Sequence, residues 1–386
     1  ASPFPYPQGS QVLIGQLAEA LVRRGHRLRL LTYPSSVGQP NPDVRVHRTS
    51  AFPGLAPEHP RPSWQKPILD LFLMRDLLRI TRQWQADLIH VHNFEGLMAA
   101  LAVRRLTHVP VVYHVHNAMG LELDTYFGNR LTQWAGGVVG RWVDKHLPFR
   151  ADYCILLSHE AVDYFRRRGV IRQRVIPPGI DFEPGQADQI RQKLGHGPIV
   201  LYSGNLDRYQ DLDLLLQAFR LVANTHAAAR LVISTYAPFG ELQARVRSLG
   251  LDEQTVFIQS DNFCVVRDLL AATDVAVCPR QVCLGFPIKI LNYMAAGRAI
   301  VAMEGSSSGL RHMEDAWVVR NGDVPGMAAA ITALLENPTL RREMGASAQR
   351  TTRDKYTWDR AVDAIEDIYS QIADPARKDS TKAGHG

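Results

Sequence analysis

Four histidines form two His-x-His pairs, His90/His92 in DLIHVHN and His114/His116 in VVYHVHN, each closing a short apolar run. Residues two apart in a strand point to one face, so each pair could chelate a metal. Neither pair has a carboxylate or cysteine beside it at ligand spacing, and polar groups at the carboxyl ends of parallel strands line the ligand crevice of open α/β sheets. Direct substrate contact is therefore the stronger expectation, and no metal ligand is assigned. His116 is expected to hydrogen-bond at the reacting centre, with Asn93 and Asn117 on the acceptor side. His90 and His114 are expected to be structural histidines packed within their strands.

Three further stretches have the character of phosphate-facing turns. Pro7-Gln8-Gly9-Ser10-Gln11 leads into an amphipathic helix expected over residues 12–24, and backbone amides at a helix start can cradle an anion. Taken alone, Gly9 reads as a turn residue before that helix. In GNLDRYQDLDLLLQAF, Gly204 and Asn205 end a strand, and Arg208 and Gln210 are placed to reach an anion beside the next helix. The strongest local pattern is CPRQVCLGFPIKILNYMAAGRAIVA. There a strand gives way to Gly285-Phe286-Pro287, with Pro287 expected at the first turn of a helix. The amides through Ile288 would point at a diphosphate, Lys289 would add a positive charge, and Asn292, one turn later, would offer a hydrogen bond to a hydroxyl group.

Positioning these residues requires strands alternating with helices, and the sequence supplies that alternation twice. Strands are expected over 27–33, 44–48, 87–91, 109–115 and 153–157, then over 199–203, 230–234, 255–258, 275–278 and 299–302. Such alternation signals an α/β class built of two doubly wound, Rossmann-like domains. Their expected limits are residues 1–176 and 177–355, followed by a helix over 356–374 and a disordered tail over 375–386. A domain of this kind opens with a hydrophobic strand, whereas this sequence starts at Ala1-Ser2-Pro3-Phe4-Pro5, so the first strand is expected to be absent and the first sheet interrupted.

Composition narrows the function classes. The 386 residues are 46% hydrophobic and 21% charged, which fits globular domains, and no apolar run reaches the roughly 20 residues of a spanning helix. The four cysteines match neither a zinc nor a redox spacing, so a reducing cytoplasm is the expected location. A net charge of +6 suits anionic partners, but nothing resembles a nucleic-acid recognition element, so none is expected. Leu131, Trp134, Val138 and Trp142 recur at helical spacing with Arg141 and Lys145 on the flanks. That stripe is either a core face weakened by Gly136, Gly137 and Gly140 or a contact with the inner face of a membrane.

In order and spacing, PFPYPQGSQ, LAEALVRRGHRLRLLT, DLIHVHN, VVYHVHN, LSHEAVDYF, VIPPGID, YSGNLDRYQDLDLLLQAF, ATDVAVCPR and GFPIKILNYMAAGRAIVA make the whole chain resemble the family 4 glycosyltransferases, retaining enzymes of the GT-B fold. The resemblance implies a donor site mainly on the second domain and a last helix that crosses back to the first. It also implies that His116 contacts the donor sugar, that Gly9 and Ser10 approach its phosphates, and that residues 285–288 give amides to the same diphosphate. A nucleotide diphosphate sugar would be the co-substrate, with no other cofactor and no catalytic metal, and the acceptor a lipid, a glycan or a small molecule. Two departures stand out. The family's paired glutamates are replaced by Leu284 and Asn292, and its phosphate-loop arginine and lysine by Asn205 and Gln210, so Lys289 and Arg208 are expected to carry the phosphate charge. Because of these losses, the alternative is a non-catalytic, glycosyltransferase-like binding or partner subunit.

Overall fold

The computed structural model describes residues 2–50, 63, 65–195 and 197–373; the expected tail over 375–386 lies outside them. The chain divides into two units, one running to Gly179 and resuming at Trp358, the other spanning Ile180–Thr357.

The second unit holds one parallel sheet of β7 (Ile199–Ser203), β8 (Arg230–Thr235), β9 (Thr255–Gln259), β10 (Val275–Cys278), β11 (Ala299–Met303) and β12 (Trp317–Val319), in the order β12-β11-β10-β7-β8-β9. β7, β10 and β11 are buried along their whole length, as central strands covered on both faces must be, which explains their unbroken Val, Ile, Leu and Ala runs. Tyr202, Leu215, Phe219, Ile233, Met303 and Ile331 belong to its core. The chain lays β8 and β9 on one side of β7 and β10 on the other. The topological switch point therefore lies between β7 and β10, the place where open α/β sheets bind ligands beyond their carboxyl ends.

The first unit carries β1 (Leu30–Thr32) paired with β2 (Val46–Arg48), and a separate parallel sheet of β3 (Ile89–His92), β4 (Val111–Val115), β5 (Tyr153–Leu156) and β6 (Gln173–Val175). Residues 2–5 hydrogen-bond along the chain at Tyr33, Ser35 and Val37. The helix Trp358–Ala373 buries Trp358, Ala361, Val362, Ile365 and Ile368, the one-sided stripe of an amphipathic helix, and packs on the helix Gly9–Arg23. Arg24 pairs with Asp363 at 2.6 Å and Glu366 at 2.9 Å, and Arg174 with Asp367 at 3.2 Å. These pairs are mostly exposed, so the apolar stripe contributes most of the docking energy.

Two helix starts differ from expectation. The first helix begins at Gly9 rather than near Val12, and Gly9 is absent from the glycines with positive φ. It is a first-turn residue and not a turn glycine, because Gln8 accepts the Val12 amide at 3.0 Å. Pro287 is the N-cap and the helix starts at Ile288, one residue later than expected, since Pro287 has ψ 103° and is still extended.

Candidate active site

At the switch point, Gly204 leaves β7 with φ 149°, a conformation that favours glycine. A Cβ added there would lie 2.8 Å from Lys289 Nζ. Lys289 sits in the first turn of the helix Ile288–Ala295 and donates to the Tyr202 hydroxyl at 2.9 Å and to Gln210 Oε1 at 2.8 Å. Gln210 in turn donates to Asn205 Oδ1 at 2.7 Å, and Asn205 Nδ2 to the Tyr209 hydroxyl at 2.7 Å. Tyr202 donates to the Asn205 carbonyl at 2.6 Å, which fixes the loop to the strand it leaves. The Arg280 guanidinium lies over the Tyr209 ring, 4.5 Å from its centroid.

The electrostatics of this cluster are one-sided. Both hydrogen bonds of the Lys289 ammonium go to neutral oxygens, and burial lowers its pKa to about 8. A buried cation without a hydrogen-bonded carboxylate is unfavourable until an anion reaches it. The neighbouring helix start adds amides that lack intrahelical partners. The fold brings Gly204, Asn205, Gln210 and Lys289 together. It does not bring in Arg208, which is exposed and forms no side-chain hydrogen bond or ion pair with this cluster. Gly285, Phe286 and Pro287 are buried, with the Phe286 ring packed edge-on to Tyr356 at 5.5 Å. Asn292 is half-buried one turn beyond Ile288.

In the first unit, β3 and β4 pair with His92 opposite His114, and this register gathers all four histidines into one array. His90 Nδ1 meets the Tyr369 hydroxyl at 2.5 Å and His90 Nε2 meets His114 Nδ1 at 3.2 Å. His92 Nδ1 meets His116 Nε2 at 2.8 Å. Burial pushes the pKa of His90 down to about 3 and that of His116 to about 4, and those of His92 and His114 well below the usual range. His116 is therefore a neutral hydrogen-bonding group and not a cation near neutral pH. His90 and His114 are packed in the strands as expected, yet they also extend the network behind His116. Asn93, at the end of β3, has φ 64° and ψ 155°, a backbone state that costs a non-glycine residue about 1–3 kcal/mol. Asn117 is half-buried beside His116. The helix start at Gly9 has neither a capping side chain nor an acidic residue in its first turn, and Ser10 Oγ donates to Gln11 Oε1 at 2.9 Å.

A family model for a glycosyl transferase 4-like domain matches residues 8–179, and one for glycosyl transferases group 1 matches residues 197–337. The chain belongs to the family 4 glycosyltransferases. It is 26% identical to the phosphatidyl-myo-inositol mannosyltransferase of Mycobacterium leprae, over 97% of this chain and 96% of that protein. Among solved structures it resembles sucrose-phosphate synthase from Thermosynechococcus elongatus, with a TM-score of 0.81, 19% identity and coverage of 94% and 93% of the two chains. Anabaena HepE in complex with UDP-glucose gives a TM-score of 0.74 at 16% identity, covering 96% and 98%. The fold is GT-B.

Within this glycosyltransferase, residues missed by sequence reasoning complete the cluster in each unit. Tyr202 and Arg280 frame Lys289 and Tyr209, and Tyr369 reaches His90 from the last helix. The Arg280 signal was a cation directly after the strand β10. Nothing in the sequence pointed to Tyr202 or Tyr369, whose partners are 87 and 279 residues away.

Proposed function

We propose that this glycosyltransferase moves a sugar from a nucleotide diphosphate sugar, UDP- or GDP-linked, to a lipid, glycan or small-molecule acceptor, with retention of anomeric configuration. The observation that carries the donor assignment is the half-buried ammonium of Lys289, held on neutral partners at the switch point. A diphosphate there would receive charge-assisted hydrogen bonds from Lys289 and from amides of residues 285–288. His116 would hydrogen-bond the donor sugar as a neutral imidazole. Departure of the diphosphate and attack of the acceptor would share one face of the sugar, with a phosphate oxygen taking the acceptor proton. The protein then supplies positioning and charge stabilisation, and needs no carboxylate at Leu284 or Asn292. No cofactor beyond the co-substrate is invoked for the transfer. The complex of HepE with UDP-glucose favours a UDP-linked donor.

Incubation with UDP-, GDP-, ADP- and TDP-sugars, following nucleotide release and thermal stabilisation, tests the reading. Selective stabilisation and turnover with one nucleotide class are expected. A folded protein that neither binds nor turns over any of them refutes it and leaves the non-catalytic alternative.

A lipid acceptor is supported by the helix Arg130–His146 of the first unit. Gly136 and Gly140 face inward, where an added Cβ would meet Phe127 at 2.8 Å and the Met119 carbonyl oxygen at 2.2 Å. The same glycines that weaken helix propensity thus allow close packing. Asp144 fastens this inner face by accepting from the Met119 amide, the Gly120 amide and the Tyr164 hydroxyl at 2.7–3.0 Å. The outer face leaves Leu131 75%, Trp134 65% and Trp142 53% exposed, between Arg130, Arg141 and Lys145. The stripe is therefore surface and not core, and apolar residues ringed by basic ones suit an anionic membrane surface. No helix among the described residues is long and apolar enough to cross a membrane. Flotation with anionic vesicles at low salt should recover the protein, and Trp134→Ala with Leu131→Ala should release it. Equal flotation of both proteins refutes the contact.

A further inference from the structure

We propose that His92 is a positioning residue for the transfer, one that sets the direction and the tautomer of His116. The inference rests on the reading that His116 meets the donor sugar. His92 is the last residue of β3 and pairs with His114. His116, two residues on along the neighbouring strand, therefore lies just beyond the end of β3, with the His92 ring 5.1 Å away and the His114 ring 5.4 Å away. Nδ1 of His92 meets Nε2 of His116 at 2.8 Å. The plane of the His92 ring is held by stacking on His90 at 4.9 Å and on His114 at 5.0 Å, within the range of ring–ring packing. His90 is itself tied to His114 and to the Tyr369 hydroxyl, so the ring aimed at His116 is backed by a bonded pair.

A neutral imidazole has one N–H and one bare nitrogen, and burial keeps both rings neutral near pH 7. The contact between them therefore holds a single proton. Whichever ring owns it, the two outer nitrogens, Nε2 of His92 and Nδ1 of His116, take opposite roles, because the hydrogen bond at one ring nitrogen sets the state of the other. A neutral imidazole with no other constraint favours the proton on Nε2. Both rings have that form at once only when His116 donates to His92. Nδ1 of His116, the nitrogen that His92 does not engage, is then a bare acceptor for a sugar hydroxyl. Without His92 the ring of His116 can flip and exchange tautomers, and only a fraction of the molecules would present that acceptor.

Two measurements on the full chain test this. Nitrogen-15 spectra of histidine-labelled protein separate protonated from bare ring nitrogens without any substrate, and His116→Ala identifies the His116 signals. The expected result is His116 protonated at Nε2 alone in the wild type and a mixture of both tautomers in His92→Leu. Turnover is followed as nucleotide release from UDP-glucose or GDP-mannose. His92→Leu should lower kcat about 10-fold, the worth of one hydrogen bond, with the donor KM changed by less than about twofold. His92→Asn loses the same ring stacking but sets an amide oxygen near the place of Nδ1, and should recover most of that kcat. Equal loss in His92→Asn and His92→Leu, or no loss in His92→Leu, overturns the proposal. So does a wild-type His116 that is protonated at Nδ1 or mixed. Full turnover in His116→Ala refutes the sugar-contact reading itself, and the role of His92 with it, whatever tautomer the spectra show.

Discussion

Replacing Lys289 by methionine separates the cost of its charge from its use. Burial brings its pKa from 10.5 to about 8, so carrying the proton below pH 8 costs the folded protein about 3 kcal/mol relative to a solvated lysine. An unfolded lysine keeps its proton to about pH 10.4. Between roughly pH 8 and 10 the unfolded state therefore binds more protons than the folded one, and stability rises with pH as the cost disappears. Lys289→Met removes the charge but strands the Gln210 and Tyr202 oxygens, a loss of about 1–3 kcal/mol. The two effects nearly cancel at pH 7, where the variant should be about as stable as the wild type. By pH 10 the wild type should have gained about 2.5 kcal/mol over the variant. Isothermal guanidinium unfolding at the two pH values measures this difference. Nucleotide diphosphate titration of the same proteins should show a loss of about 1.5–3 kcal/mol, or roughly 10- to 100-fold, for one charge-assisted hydrogen bond. Parallel pH dependence of the two proteins, or an unchanged nucleotide affinity, would refute the reasoning.

Other perturbations have defined outcomes. Gly204→Ala places a methyl group against the Lys289 amine in a backbone state with φ 149°, and should lower both the melting temperature and nucleotide affinity, by about 1–3 kcal/mol in stability. His116→Ala should reduce kcat by at least about 100-fold, in the range of general hydrogen-bonding or acid-base groups. Because His116 titrates near 4, kcat/KM of the wild type should show no histidine limb between pH 5.5 and 7.5, and a clear inflection near 6.5 would contradict its neutral state. Gly140→Val drives side-chain atoms into the Met119 carbonyl and should cost about 1–3 kcal/mol or more, seen as a lowered melting temperature.

The legible parts of the fold were those where burial leaves a one-dimensional trace. β7 and β10 were read with their bounds because every residue in them is apolar or small and buried on both faces. β6 and β12 were not anticipated: each has three residues, lies at a sheet edge, and in Gln173–Val175 is largely polar. Of the candidate site, Lys289 was visible because it follows a strand, a glycine and a proline in turn. Its neighbours Tyr202 and Gln210 are brought to it by the order of strands β7 and β10, which no local pattern specifies. The histidines were legible as two pairs, since spacing within a strand fixes a face. Only the register that sets His92 against His114 makes them one array.

The return of the chain at Trp358 has a consequence for biosynthesis. The second unit is a continuous stretch, Ile180–Thr357, and every strand of its sheet is available as soon as that stretch has left the ribosome. The first unit is synthesised earlier but lacks its final helix until the last residues emerge. Until then the helix Gly9–Arg23 remains without the packing of the helix Trp358–Ala373, and His90 lacks the Tyr369 hydroxyl. The half of the protein made first is thus the half completed last, and a chain stopped near residue 357 would display an unfinished apolar surface to chaperones and proteases.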